Sequence, residues 1–250
     1  MFATLLAAFA WASTASAPPR HCLSIAAPSY FYPGEGWNAL LDAAPQVQLA
    51  VINPSSGVGH DRDLNYARVT HEATTRGLTV LGYVHTDYGR RDLDVVMAEV
   101  ERYVAWYGVR GIFVDEAATS LDALAYYEEL SARIEAYGLS VVLNPGAVPD
   151  QAYAAIADVL ITFEGSAEAY RTRDVPGWMR EYAPSRFWHV VHGVSSEDTM
   201  NTVVALAGER EAQHLWVASE SGANPYAAPP HQFEPLLDAL AARYAFCQFR

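Results

Sequence analysis

The sequence predicts a single (β/α)8 barrel, and three observations carry that prediction. Short, near-continuous apolar runs alternate with segments of helical period, and the alternation occurs eight times. The runs lack the polar-out alternation of a half-exposed sheet, as strands covered on both faces require. At 250 residues, 51% of them hydrophobic, the chain has the length and apolar content of one such barrel. An open doubly wound sheet is the alternative, and no low-complexity linker marks a second domain.

The strands follow in order. Leu23–Ala27 and Val47–Ile52 open the series, the second stopping at Asn53-Pro54. Thr79–His85 is followed by a segment, Asp92–Tyr107, that sets Leu93, Val96, Met97, Val100, Val104 and Tyr107 on one stripe with Asp92 as its cap, the pattern of an amphipathic outer helix. Gly111–Asp115 and Ser140–Leu143 come next; the stretch after the latter, Pro149–Ile156, is short. Val159–Phe163, Trp188–His192 and Leu215–Ser219 complete the eight, and Phe233–Tyr244 repeats the helical stripe with Phe233, Leu236, Leu237, Leu240 and Tyr244. Trp188 and Trp216, inside strands, are expected to pack.

The ends of the chain carry their own signals. Met1–Ala17 reads as a secretory leader, an apolar stretch closed by the small-x-small site Ala15-Ser16-Ala17, which leaves 18–250 as the barrel. That stretch is short for the roughly 20 residues that span a bilayer, so no membrane association is expected after cleavage. Cys22, before the first strand, and Cys247, after the last helix, are the only cysteines. In a barrel those positions share the bottom face, and export supplies an oxidising compartment, so a disulfide is predicted. Closing so long a loop contributes on the order of 4–5 kcal/mol in the chain-entropy model. The formal net charge of -13, from 16 basic and 29 acidic side chains, excludes a nucleic-acid partner and favours a cationic one. A monomer is expected.

Carboxylates point to chemistry. Asp115 and Glu116 end one apolar run and Glu164 ends another. Strand tips of a parallel barrel open toward the ligand side, and two carboxyl groups flanking a bond can divide general-acid and nucleophilic work. The fourth and sixth strands lie about two strand spacings, roughly 10 Å, apart, so Asp115 and Glu164 can converge. Three Asn-Pro pairs, at Asn53, Asn144 and Asn224, hold each asparagine extended at the mouth, where its amide can meet hydroxyl groups; Asn-Pro is equally a turn starter. Tyr30, Tyr32, Tyr83, Tyr88 and Tyr226 offer flat faces there, with Tyr83 and Tyr88 the best candidates. His85, Arg90 and His192 complete the set of binding candidates. Gly57-Val58-Gly59 is read as a turn. His85, Asp87, Asp115, Glu116 and His192 show no metal-ligand spacing, so neither metal nor cofactor is expected.

Several phrases together carry a resemblance: Tyr30-Phe31-Tyr32-Pro33, Val51–Gly57, Leu81–Arg90, Trp106-Tyr107 with Gly111–Glu116, Val142–Gly146 and Thr162-Phe163-Glu164. In this order they resemble the spherulin 4-like family. The resemblance implies a (β/α)8 glycoside hydrolase that cuts α-1,4-linked galactosamine or N-acetylgalactosamine polymers of microbial biofilm, and it places the acidic site residues on Asp115, Glu116 and Glu164. Asp115 is then expected as nucleophile or charge stabiliser, Glu164 as general acid/base, and Glu116 as a residue that tunes the pair or binds an amino sugar. The alternative is a non-catalytic polysaccharide-binding barrel, which would keep the aromatic mouth and not need the acids.

Overall fold

The structure, a computed structural model, describes residues 21–222, 224–244 and 247; the expected leader Met1–Ala17 lies outside them. Eight parallel strands, β1 (Ser24–Ser29), β2 (Val47–Ile52), β3 (Thr79–His85), β4 (Gly111–Asp115), β5 (Ser140–Leu143), β6 (Val159–Ser166), β7 (Phe187–His192) and β8 (His214–Val217), pair in chain order, and β8 closes on β1. The outer layer holds α1 (Glu35–Asp42), α2 (Leu64–Thr75), α3 (Leu93–Tyr107), α4 (Leu124–Glu135), α5 (Ala167–Thr172), α6 (Glu197–Ala207) and α7 (Phe233–Arg243). Strand–helix alternation therefore departs from the expected eightfold repeat at one place. Between β5 and β6 there is only the 3₁₀ turn Gln151–Ala155, started by Asp150, whose carboxylate accepts from the Ala152 N–H at 2.9 Å as a cap.

Each helix is seated by its stripe. On α3 the Asp92 side chain accepts from the N–H groups of Asp94 (2.8 Å) and Val95 (3.2 Å), and Gly108, at φ 63°, ends the helix in the left-handed conformation that glycine adopts at little cost. Val96, Met97, Val100, Tyr103 and Tyr107 are buried. Tyr103, outside the expected stripe, is buried because Gly82 on β3 makes room for it: a Cβ at Gly82 would stand 2.5 Å from the Tyr103 ring. Inside the barrel Phe113 packs on Trp188 at 5.6 Å between ring centres, and Trp188 and Trp216 are fully buried.

At the bottom face Cys22 and Cys247 form the predicted disulfide, with Cα atoms 5.7 Å apart. Among the described residues no helix is long and apolar enough to cross a membrane.

Candidate active site

The site begins with strand register. Leu81↔Gly111 and Tyr83↔Phe113 pair between β3 and β4, and Gly111↔Ser140 and Phe113↔Val142 between β4 and β5. Neighbours in register share a face, and faces alternate along a strand. Phe113 points into the barrel at Trp188, so Tyr83 and Asp115 point inward too, and Asn144, the next residue after β5, is level with Asp115. The Asn144-Pro145-Gly146 turn then fixes the asparagine. Its Oδ1 accepts from the Gly146 N–H at 2.9 Å, and the Gly146 carbonyl accepts from the Glu164 N–H at 2.9 Å. Only the Asn144 NH2 group is left to face the cavity.

Glu164 reaches that cavity by a backbone irregularity. Val142↔Val159 pairing puts Val159 and Ile161 inside, so strict alternation would point Phe163 inward and Glu164 out. The β6–β7 register shifts between Ile161 and Phe163: Ile161 pairs with Trp188, Phe163 with His189 and Glu164 with Val190. Thr162 is the extra residue of a bulge, and from there on the faces exchange. Glu164 therefore lies within β6, which runs to Ser166, and not at a strand tip as expected from the sequence. Gly165 in a strand interior was the available signal, because an isolated strand glycine often marks a bulge.

The two acids meet through Asn144. Its Nδ2 donates to Asp115 Oδ1 at 2.8 Å and to Glu164 Oε2 at 2.8 Å. Hydrogens on one amide nitrogen are about 120° apart, so the two acceptor oxygens lie roughly 5 Å from each other. A tyrosine flanks each acid: Tyr83 donates to Asp115 Oδ2 at 2.8 Å, and Tyr226 to Glu164 Oε1 at 2.6 Å. Burial, and after it the neighbouring carboxylate charge, raises both phenols far above their ordinary value, so they stay protonated and donate. Tyr30 stands edge-on to both rings, at 5.5 Å from Tyr83 and 5.9 Å from Tyr226. Burial is also the largest influence on Asp115 and raises its carboxyl; donation from Tyr83, the Glu116 N–H and Asn144 works against it, and the Glu164 charge adds to it. Among the described residues neither acid is in an ion pair with arginine.

The other candidates surround this centre at different distances. Glu116 leaves β4 at φ 51° and turns its carboxylate to His85 Nδ1, at 3.3 Å, away from the Asn144 bridge. That strained turn is held from behind: Thr86 Oγ1 donates to the Asp115 and Glu116 carbonyls (3.1 and 2.9 Å), and the Tyr127 hydroxyl accepts from the Ala118 N–H at 2.9 Å. Tyr88 is 54% exposed, with the Arg90 guanidinium 5.6 Å from its ring centre, and Arg90 is paired with Asp87. Tyr32, 57% exposed, donates to Asp63 at 2.9 Å and accepts from Asn65 at 2.8 Å, which fixes its ring at the rim. Asn53 and Asn224 spend their carbonyls on their own loops, accepting from the Gly57 N–H (2.8 Å) and the Tyr226 N–H (3.2 Å). His192 ends β7 with a buried Nδ1 that has no hydrogen-bond partner among the described residues. Tyr226, read from the sequence as one mouth aromatic among five, is the direct partner of Glu164; its place two residues beyond Asn224-Pro225 was the signal. No group of three or more His, Cys, Asp or Glu among the described residues could hold a metal ion.

Comparison with known proteins adds four findings. The profile of spherulation-specific family 4 (Spherulin4) matches residues 24–240. Spherulin-4 of Physarum polycephalum is 32% identical over 202 residues, 74% of this chain and 60% of that protein, so the chain spans about three fifths of the length of this curated relative. Among solved structures, Sph3 of Aspergillus clavatus, crystallised in complex with GalNAc, is similar with a TM-score of 0.76 and 28% identity over 90% of this chain and 100% of that one. A chitinase from Chromobacterium violaceum shares the fold, at a TM-score of 0.56 and 11% identity over 90% of this chain and 99% of its own.

Proposed function

The chain belongs to spherulation-specific family 4, and from that membership we propose that it is a secreted glycoside hydrolase cleaving α-1,4-linked galactosamine or N-acetylgalactosamine polysaccharide. The observation that carries the reading is the Asn144 amide shared between Asp115 and Glu164. It holds two carboxyl groups at a separation of roughly 5 Å, within the range of about 5–5.5 Å used by retaining glycosidases and short of the roughly 6.5–9.5 Å that leaves room for an inverting enzyme's water. The GalNAc complex of Sph3 supports an amino-sugar ligand. The apolar leader and the Cys22–Cys247 disulfide support secretion.

The roles follow from the donors. Asp115 faces three, from Tyr83, Asn144 and the Glu116 N–H, and Glu164 faces two, from Tyr226 and Asn144. Asp115, whose oxygens meet the larger set of donors, is assigned the nucleophile, and Glu164 the general acid/base. Glu164 protonates the glycosidic oxygen as Asp115 attacks the anomeric carbon; water then releases the sugar from Asp115 with Glu164 as base. Tyr32 and Tyr88 at the rim, and His85, Arg90 and His192 around it, contact the sugar units on either side.

Product analysis with α-linked galactosamine polymers, beside chitin as a control, tests this. The wild type is expected to release reducing ends, and Glu164→Gln to bind polymer while cleaving about 10²–10⁴-fold more slowly. Equal release by the variant removes Glu164 from the mechanism; binding with no release by the wild type leaves a polysaccharide-binding protein.

A further inference from the structure

We infer that a buried chain behind β6, Thr162–His189–Tyr170, together with the missing side chain at Gly165, positions Glu164. A two-against-one bulge sends two successive side chains, Thr162 and Phe163, to the outer face opposite His189. Both need a seat there, or the strand reverts to simple alternation and Glu164 rotates out of the barrel. The seat is present. Thr162 Oγ1 lies 3.0 Å from His189 Nε2, and His189 Nδ1 lies 2.8 Å from the Tyr170 hydroxyl of α5; all three residues are fully buried. A neutral imidazole between two hydroxyls satisfies both nitrogens in either tautomer. Phe163 packs on Tyr170 at 4.8 Å between centres and lies 6.2 Å from the His189 ring, with the Arg173 guanidinium 5.1 Å over its outer side.

Gly165 completes the seat. A Cβ there would stand 2.9 Å from Phe163 Cζ, so the ring, packed against Tyr170 and Arg173, would have to shift. Tyr170 is itself held, because Arg210 donates to the Tyr170 carbonyl and stacks 4.6 Å from its ring centre. None of these residues touches the cavity. They act through the backbone of β6 on either side of the acid.

Three variants test the inference, which rests on the hydrolase reading for its kinetic readout only. Thr162→Val keeps the shape and removes the hydroxyl; Gly165→Ala keeps the hydrogen bonds and displaces Phe163; Thr162→Ser keeps the hydroxyl. The first two are expected to lower kcat by about tenfold to a hundredfold with KM little changed, the scale of a 1 Å misplacement, and Thr162→Ser to recover it. Their crystal structures are expected to show Glu164 parted from Asn144 and Tyr226. That second readout needs no substrate, so a wild type that cleaves nothing sinks the hydrolase and leaves the positioning decided by the coordinates. Folded Thr162→Val and Gly165→Ala proteins with Glu164 still on both partners overturn the inference. Should Thr162→Val fail to fold, Gly165→Ala decides alone.

Discussion

Replacing Glu164 by glutamine is expected to slow cleavage by about 10²–10⁴-fold and, in the same protein, to raise stability. The acids sit roughly 5 Å apart across the Asn144 amide. Two unit charges at that distance repel by about 3 kcal/mol at an effective dielectric constant near 20. Asn144, Tyr83 and Tyr226 offset part of this, and those donors bond a charged oxygen more strongly than a neutral one, so the net relief is about 1–2 kcal/mol. Glutamine satisfies the site: its carbonyl accepts from Asn144, and its NH2 donates to a Tyr226 hydroxyl that can rotate. In a chain of this length the relief corresponds to a rise in Tm of roughly 2–8 °C. The sign with pH follows from Asp115. Burial and the Glu164 charge raise its folded-state carboxyl above the unfolded value of about 3.9, so the folded state holds the extra proton. Wild-type stability from this group is fully present below the unfolded value and is lost as pH rises through the folded one. The advantage of the variant therefore appears near neutral pH and shrinks on acidification. Differential scanning calorimetry of both proteins at several pH values measures it. A variant that melts at or below the wild-type temperature at pH 7 refutes the repulsion argument.

Other predictions follow from the same geometry. Tyr83→Phe removes a donor that lowers the Asp115 carboxyl, so the acid limb of kcat/KM is expected to move to higher pH; a limb that stays or moves down counts against Asp115 as the ionised nucleophile. Cys22→Ser should cost about 3–5 kcal/mol, given the 225-residue separation of the pair, and lower Tm by on the order of 10 °C while kcat is kept, because the bond lies at the face opposite the mouth; a loss of kcat without a loss of Tm would reverse that account. With a net charge of -13, deacetylated, cationic polymer should be cleaved faster than acetylated polymer at low salt, and the gap should close as salt rises; equal rates at both ionic strengths would leave the acidity a solubility trait.

The barrel was legible because its punctuation is local. Val47–Ile52 stops at Asn53-Pro54 and Ser140–Leu143 at Asn144-Pro145, and both strands occur with those bounds. Pro28 misled in the other direction. It reads as the end of the first run, yet β1 continues through it to Ser29. The reason is tertiary: β8 pairs with β1 only at Ser24 and Ile25, so at Pro28 a missing N–H breaks no ladder on that side. The missing eighth helix has the same character, since the short stretch after β5 announces a tight connection and only the packed barrel shows that one 3₁₀ turn is enough.

The site was legible in its residues and not in its geometry. Asp115, Asn144 and Glu164 were each recognisable as polar groups at the ends of apolar runs, but a period of two from Val159 turns Glu164 outward. Three backbone irregularities build the centre: the Asn144-Pro145-Gly146 turn, the left-handed Glu116 and the Thr162 bulge. Each is a place where periodic reading fails, and each carries or adjoins an acid. Regular strands can deliver side chains to a cavity only in fixed alternation, whereas two carboxyl groups bridged by one amide demand a particular spacing that alternation does not supply. Departures from regularity are thus expected to concentrate where chemistry sets the distances, and their cost is met by buried groups such as Thr86, Tyr127 and His189 that hold the backbone from behind.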